Sequence, residues 1–256
     1  MKSGAGVIVQ QRQISAGLRS NMEFSIVIPL FNEKESLPRL QKKLYKTMES
    51  ISCDYEIIYI DDGSTDSSLT VLQGLKRSCS KMRIISLKKN TRKSAALLVG
   101  FKASIGKWII TIDADGQDPP EEIVKLLKFK DDFDFIMGIR KKRKDNFLRK
   151  VSSQIAKFFR WLVLKDITKD AGCSLRVFKR EAIGALPLFR NFHRFLPFLV
   201  RAEEFSVKEV EIEHNQRKFG KSKYGVLERA WEGIFDLWGV FWLKKRWLNY
   251  EIKYKC

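Results

Sequence analysis

The chain is poor in the residues that build thiolate metal sites, disulfide frameworks and membrane spans. Of its 256 residues only four are cysteine, Cys53, Cys79, Cys173 and Cys256, which lie far apart with no Cys-x-x-Cys pair. His193 and His214 are the two imidazoles of the chain. A structural zinc site or a disulfide scaffold is not expected, and a reducing compartment is the default. No window reaches the ~18 to 20 uninterrupted apolar residues of a spanning helix, the longest candidates being 195–200 and 234–243. No Gly-x-Gly-x-x-Gly follows the first apolar run and no Gly-x-x-x-x-Gly-Lys-Ser/Thr occurs, so hydride transfer and P-loop hydrolysis are poorly supported.

What is present is charge of one sign. Lysine and arginine number 49 against 30 acids, a formal net charge of +19, which implies an anionic partner: nucleic acid, a phospholipid surface or a phosphorylated substrate. A hydrophobic content of 44% over this length is enough for one large α/β domain. Residues 1–22 lack the apolar core of a secretion signal and read as a flexible tail. A domain over 23–224 follows, and 225–256 reads as an amphipathic interfacial helix with a basic tail.

The first half alternates regularly. Apolar runs at 24–30, 55–60, 83–87, 108–112 and 133–137 predict strands. Between them fall helical stretches over 33–50, from about Asp66, over 93–105, and one opened by Pro119-Pro120. Short strands separated by helices predict a parallel sheet with crossovers, and such sheets bind ligands at the carboxyl ends of their strands. Asn32 and Glu33, Asp61-Asp62-Gly63-Ser64, Asn90 and Asp113 all fall there. They are expected to converge on one cleft.

Asp113-Ala114-Asp115 ends the run Trp108-Ile109-Ile110-Thr111-Ile112 and precedes Gly116-Gln117-Asp118-Pro119-Pro120. Two near-adjacent carboxylates at a sheet edge suit a hard divalent cation that keeps positions open for phosphate oxygens. In Asp61-Asp62-Gly63-Ser64-Thr65-Asp66, Gly63 permits a tight turn and Ser64 or Asp66 can cap the next helix. One aspartate of that pair is then expected to face a nucleotide.

The second half is basic and aromatic. Over 147–164, Leu148, Val151, Ile155, Phe158, Phe159 and Leu162 recur at helical spacing, with Arg149, Ser153, Lys157 and Arg160 on another side. Either that basic side is merely solvated or it cradles a phosphate together with the cationic loop from Arg140 to Lys144. Over 225–243, Leu227, Trp231, Ile234, Trp238 and Phe241 share one side and Arg229, Glu232 and Asp236 another, with Lys244-Lys245-Arg246-Trp247 after them. Such a helix is either an ordinary core helix or one lying in the interface of an anionic bilayer. His193 is read as structural, Cys173 as a small buried apolar residue, and Arg176 as a phosphate contact at the start of a strand.

Val27-Ile28-Pro29-Leu30-Phe31-Asn32-Glu33, the two aspartate motifs above and Gly220-Lys221-Ser222-Lys223-Tyr224-Gly225, in this order and spacing, resemble the inverting glycosyltransferase family two. The likeness extends from about Phe24 to Leu243. It is closest to the polyprenyl-phosphate branch of enzymes similar to dolichol-phosphate mannose synthase. The resemblance implies a GT-A type, Rossmann-like, mostly parallel sheet flanked by helices, with a C-terminal amphipathic helical segment. It implies transfer of a sugar from a UDP- or GDP-linked donor to a polyprenyl phosphate, undecaprenyl or dolichyl, with inversion.

By the same resemblance Pro29, Phe31, Glu33 and Asp61 line the donor's base and ribose, and Asp113, Ala114 and Asp115 the donor pyrophosphate. Asp113, Asp115 and Gln117 correspond to the ligands of Mg²⁺ or Mn²⁺. Arg140 stands where the family places an arginine after its fifth strand and counts with Asp113 and Asp115 as catalytic. Arg140, Arg149, Ser153 and Arg176 face the acceptor phosphate. Arg217, Lys221 and Ser222 match a loop closing over the donor, with Ser222 also toward the acceptor phosphate. The sequence departs from the family pattern at Gly138-Ile139-Arg140, where Gly-Ser-Arg is usual, and at Arg92, where a glycine is common.

A phosphomonoester has a second pKa of about 6, so such an acceptor needs no dedicated base. The expected partners are therefore the nucleotide sugar, the polyprenyl phosphate and an anionic membrane surface, with no nucleic acid, and the expected place is the cytoplasmic inner face of the membrane. A homo-oligomer is left open. Two rival classes stand beside this: a nucleotidyltransferase of similar fold, which would carry a glycine-rich basic loop after its first strand, and a basic nucleic-acid-binding protein.

Overall fold

The computed structural model describes residues 22–141, 147–184, 186–216 and 226–247, and no side chains at 147–153 or 226–231. β1 (Phe24–Leu30) and β2 (Tyr55–Asp61) are buried at every position, which requires a helical layer on each face of the sheet. Side chains alternate across a strand, and β1 accordingly sends Phe24, Ile26, Ile28 and Leu30 to one core and Val27 to the other. On the first face they meet Leu37, Leu40, Leu44 and Met48 of α1 (Leu37–Ile51) and Leu72 of α2 (Ser68–Lys76). On the second, Ala96, Leu97 and Phe101 of α3 (Lys93–Ala103) join Leu196 and Leu199 of α7 (Leu196–Ala202). Leu237 and Val240 of α8 (Val226–Lys245) complete that layer.

The sheet has seven strands in the order β3-β2-β1-β4-β6-β5-β7, with β3 at Met82–Ser86, β4 at Trp108–Thr111, β5 at Phe135–Arg140, β6 at Arg176–Lys179 and β7 at Val207–Ile212. Only β6 runs against its neighbours, so the carboxyl ends of β1 to β5 lie on one edge. Between β4 and β5 a short turn at Pro120–Glu122 leads into α4 (Ile123–Leu127). α5 (Phe147–Leu164) follows β5, and α6 (Arg180–Gly184) follows β6. The expected mostly parallel α/β sheet is what forms, and among the described residues no helix is long and apolar enough to cross a membrane.

Two expectations need correction. The fifth strand starts and ends later than 133–137, because Asp134 is bound to Ser206 and Lys179 below the sheet, and Arg140 is the strand's last residue instead of following it. On α5 the apolar residues are not a buried face: Ile155, Phe158, Phe159, Trp161 and Leu162 are all about half exposed. Arg160, read as part of the basic side that is either solvated or a phosphate cradle, turns instead to Asp166 and lies over the Phe195 ring. On α8 the acidic side faces inward, while Ile234, Phe235, Trp238 and Trp242 point out. α5 and α8 pack against each other, and Lys244 donates to the carbonyl of Leu164 at 2.9 Å.

Candidate active site

The loops at the carboxyl edge are tied into one unit. Asn32, at a left-handed φ of 55°, accepts the backbone N–H of Thr65 at 2.8 Å and donates to the Thr65 hydroxyl at 3.1 Å, joining the loops after β1 and β2. Asp62 accepts both N–H and hydroxyl of Thr91 at 2.7 Å, joining the loops after β2 and β3. Gly63 is required between them: its φ is +68°, and a Cβ there would stand 2.5 Å from the Lys89 carbonyl carbon.

The aspartate expected to face a nucleotide is tied into the same loops. Asp61 is 1% exposed, with Oδ1 accepting the Ser64 N–H and Oδ2 the Ser86 hydroxyl. Asp61 and Asp62 are themselves buried, at 1% and 3% exposure, and their carboxylates accept N–H and O–H groups from the strand ends and loops around them.

Asp113 lies beyond β4 and is one-third exposed. Lys93, the first residue of α3, donates to its two oxygens at 2.5 and 2.7 Å. Asp115 Oδ1 accepts the backbone N–H of Gln117. Behind them runs a buried chain of polar groups. Ser174 donates to Asp118 Oδ2 at 2.5 Å, His214 Nδ1 meets Asp118 Oδ1 at 2.8 Å, and His214 Nε2 lies 3.4 Å from the Gln117 amide. Burial pushes the Asp118 carboxyl up, but the bonds from His214 and Ser174 outweigh it and hold the group below its ordinary value.

On the other flank Arg176 is fully buried. It donates to the carbonyls of His193 and Ala171 at 2.8 and 2.9 Å, and among the described residues its Nε has no hydrogen-bond partner. Burial lowers its pKa to about 10, so the guanidinium stays charged at neutral pH. His193 packs beside it with Nδ1 3.0 Å from the Ser94 hydroxyl. Burial, then Lys93, Arg176 and Arg194, push its pKa well below the usual imidazole value. Cys173 is buried with its thiol pushed up to about 12, first by burial, which makes it a poor nucleophile.

Arg140 forms a two-pronged pair with Asp170, Nε and Nη2 each at 2.7 Å; burial acts to lower its pKa, but the bonds and charge of Asp170 outweigh this and raise it. Gly172 makes room for this fork, since a Cβ there would sit 2.9 Å from Arg140 Nη2. A cleft of about 270 Å³ joins some of these groups, lined among others by Pro29, Lys93, Asp113, Arg176, His193 and Glu232.

The structure thus brings Pro29, Asp113 and Arg176 to one cleft and sets Asp115 and Gln117 in the loop that follows Asp113. Phe31 and Glu33 are half-buried beyond β1, where the Glu33 N–H is donated to the Ser68 hydroxyl. Ala114 is buried in the core. Arg149, Ser153, Arg217, Lys221 and Ser222 lie outside the described side chains. Lys93, Asp118, Asp170, His214 and Glu232 were not anticipated as site residues. Each is recognisable only through a partner distant in the chain, although Asp118 and Asp170 sit inside motifs already singled out.

The donor set suits a hard divalent cation only in part. Asp113, Asp115 and the Gln117 amide are oxygen ligands on one loop, but among the described residues no group of three or more His, Cys, Asp or Glu is arranged for a metal. Remaining ligands would have to come from a bound phosphate, which is how Mg²⁺ is commonly held.

Residues 25–186 match the family described as glycosyl transferase family 2. The chain belongs to that family. It is 34% identical over 206 residues to an undecaprenyl-phosphate 4-deoxy-4-formamido-L-arabinose transferase of Sodalis glossinidius (strain morsitans), covering 80% of this chain and 63% of that protein. With the transferase of the same name from Salmonella choleraesuis (strain SC-B67) identity is 36% over 215 residues, covering 83% and 65%. The chain therefore spans just under two thirds of the length of these curated relatives. Among solved structures, glucosyl-3-phosphoglycerate synthase from Mycobacterium tuberculosis in complex with Mg²⁺ and uridine diphosphate matches with a TM-score of 0.62 at 15% identity, over 93% of this chain and 86% of that one. A mannosyltransferase from Pyrobaculum calidifontis in complex with GDP-Man and Mn²⁺ matches at 0.60 and 13% identity, over 91% and 66%. These likenesses establish the GT-A-like fold.

Proposed function

We propose that this chain transfers a sugar from a nucleotide diphosphate sugar to a polyprenyl phosphate, with inversion and with Mg²⁺ or Mn²⁺, at the cytoplasmic face of a membrane. One observation carries this reading: the one-third-exposed carboxylate of Asp113 and the buried guanidinium of Arg176 line the same cleft. A cleft with a cation ligand on one wall and a fixed positive charge on the other suits two phosphorylated molecules brought together. The names of the relatives support the acceptor class and suggest 4-deoxy-4-formamido-L-arabinose as the first donor sugar to try.

In this reading Asp113, Asp115 and Gln117 hold the divalent ion, which when bound would stabilise charge on the departing diphosphate. Pro29, Phe31 and Glu33 line the nucleotide, and Arg217 and Lys221 close over it. Arg176 orients the acceptor phosphate by charge, joined by Arg140, Arg149, Ser153 and Ser222. Arg140 would have to share its guanidinium with Asp170 to do so. The acceptor oxygen is already largely anionic at neutral pH, so no residue is needed to take its proton. Holding the two anions in line leaves single displacement at the anomeric carbon, which inverts it.

The test is incubation with radiolabelled nucleotide sugars, Mg²⁺ or Mn²⁺, and undecaprenyl phosphate. Label in the lipid phase, lost in Asp115→Asn by at least roughly a thousandfold, supports the reading. Pyrophosphate release without lipid labelling overturns it.

A further inference from the structure

At the rim of the cleft two guanidinium groups from separate segments meet on one oxygen. Arg92, before α3, and Arg190, between α6 and α7, each donate at 2.6 Å to Glu232 Oε1 on α8. Asn191 stands beside them, its amide 3.5 Å from Glu232 Oε2 and 2.9 Å from Asp236. Arg92, Asn191 and Glu232 line the same cleft as Asp113 and Arg176.

The backbone at Arg92 adds a second observation. Its φ of 72° and ψ of 160° form a conformation that glycine adopts freely and that strains any residue bearing a Cβ. Strain of this kind persists where the side chain is needed, and this one ends in the pair around Glu232. Converging arginines match a phosphate better than a carboxylate, since a phosphate monoester carries nearly twice the charge and three acceptor oxygens.

We propose that Arg92 and Arg190 form a subsite for a phosphate monoester at the mouth of the cleft, and that Glu232 occupies it as an internal stand-in until ligand arrives. This rests on the reading of the cleft as a phosphate-acceptor site. The exchange is inexpensive in desolvation because the Glu232 side chain is already 31% exposed and returns to water when displaced. α8 carries the latch on its inner side and Phe235, Trp238 and Trp242 on its outer side, so one helix presents both the rim of the site and an apolar surface.

Farnesyl phosphate, inorganic phosphate and UDP are titrated calorimetrically into the native chain, Glu232→Gln, Arg92→Gly and the double variant. Removing the internal anion should tighten farnesyl phosphate roughly five- to tenfold, and Arg92→Gly should weaken it by a similar factor. The double variant should lose most of the gain. Arg92→Gly should melt no lower than the native chain, because glycine relieves the strained φ, so weaker binding in it cannot be ascribed to a damaged fold. A gain with both phosphate and farnesyl phosphate assigns the subsite to phosphate as such, and a gain with farnesyl phosphate alone assigns it to the lipid-linked ester. Unchanged or weaker binding in Glu232→Gln, or an equal gain for UDP, overturns the proposal. These titrations read no turnover, so binding without sugar transfer defeats the proposed function alone, and transfer with unaltered binding in Glu232→Gln defeats the subsite alone.

Discussion

Lys93 and Asp113 form a two-pronged ion pair, the ammonium lying 2.5 and 2.7 Å from the two carboxylate oxygens. A divalent ion at Asp113 must compete with that ammonium or displace it. Lys93→Met is therefore expected to tighten Mn²⁺ binding to the nucleotide-free protein roughly tenfold, about 1.4 kcal/mol, a Coulomb effect already discounted for the one-third exposure of both groups. Electron paramagnetic resonance of free Mn²⁺ measures this directly, and equal or weaker affinity in the variant refutes the competition.

The chain Ser174–Asp118–His214 is a buried polar unit joining the Asp113 loop to the segments flanking β6 and β7. Truncating its centre leaves two buried groups without their partner, so Asp118→Ala should cost about 3 kcal/mol, against about 1 kcal/mol for Ser174→Ala. Urea unfolding monitored by circular dichroism gives both values. Comparable losses in the two variants would mean that the carboxylate is not the hub.

His193 predicts a pH dependence of stability. Its folded pKa is depressed by burial and by Lys93, Arg176 and Arg194, so the folded state keeps it neutral while the unfolded chain takes up a proton near pH 6.5. The unfolded state then binds more protons below that pH, and stability falls by roughly 1.4 kcal/mol per pH unit from this group as pH drops from about 6.5 toward the folded value. Thermal unfolding at pH 7.5 and 5.5 should show the loss in the native chain, and His193→Asn should show less of it. A slope unchanged by the substitution would assign the effect to other groups.

Asp134 acts further down the scale. Burial opposes its ionisation, but hydrogen bonds from Lys179 and Ser206 hold its pKa at about 2. This stabilisation is complete above the unfolded value near 4 and is lost as pH falls from about 4 to about 2. In Asp134→Asn, acid unfolding across that window should be shallower, and an identical acid transition would show that the pair does not contribute.

Phe235, Trp238 and Trp242 are 74, 61 and 62% exposed on the outer side of α8, which packs against α5. If this surface enters an anionic bilayer, Trp238→Ser with Trp242→Ser should weaken vesicle partitioning at least roughly tenfold. The melting temperature should change little, because these side chains are not in the core. Flotation with phosphatidylglycerol vesicles at low salt decides it, and native protein that stays entirely in the soluble fraction counts against the membrane reading.

The strands and the polar clusters at their ends were legible because apolar runs of four to seven residues bounded by Asp, Asn and Gly encode a buried parallel sheet locally. The partners within the site were not. Arg140 meets Asp170 across 30 residues, Asp118 meets His214 across 96 and Arg92 meets Glu232 across 140. No local period encodes such pairs. They follow from a strand order in which antiparallel β6 inserts between β4 and β5, so that the segment before it, carrying Asp170 and Ser174, meets the carboxyl edge beside Thr111 and Met137.

Helix faces divide in the same way. Periodicity along α8 separates an aromatic stripe from an acidic one but carries no information about which turns inward. Packing settled that: Arg92, Arg190 and Asn191 stand where the helix lands, so Glu232 and Asp236 are drawn in and Trp238 is left outside. The net charge and the local order of apolar runs and motifs were enough to specify a cationic α/β protein with a pair of carboxylates beyond its fourth strand. Which cation each carboxylate meets was decided only once distant segments were packed together, because charge pairing acts through space and not along the chain.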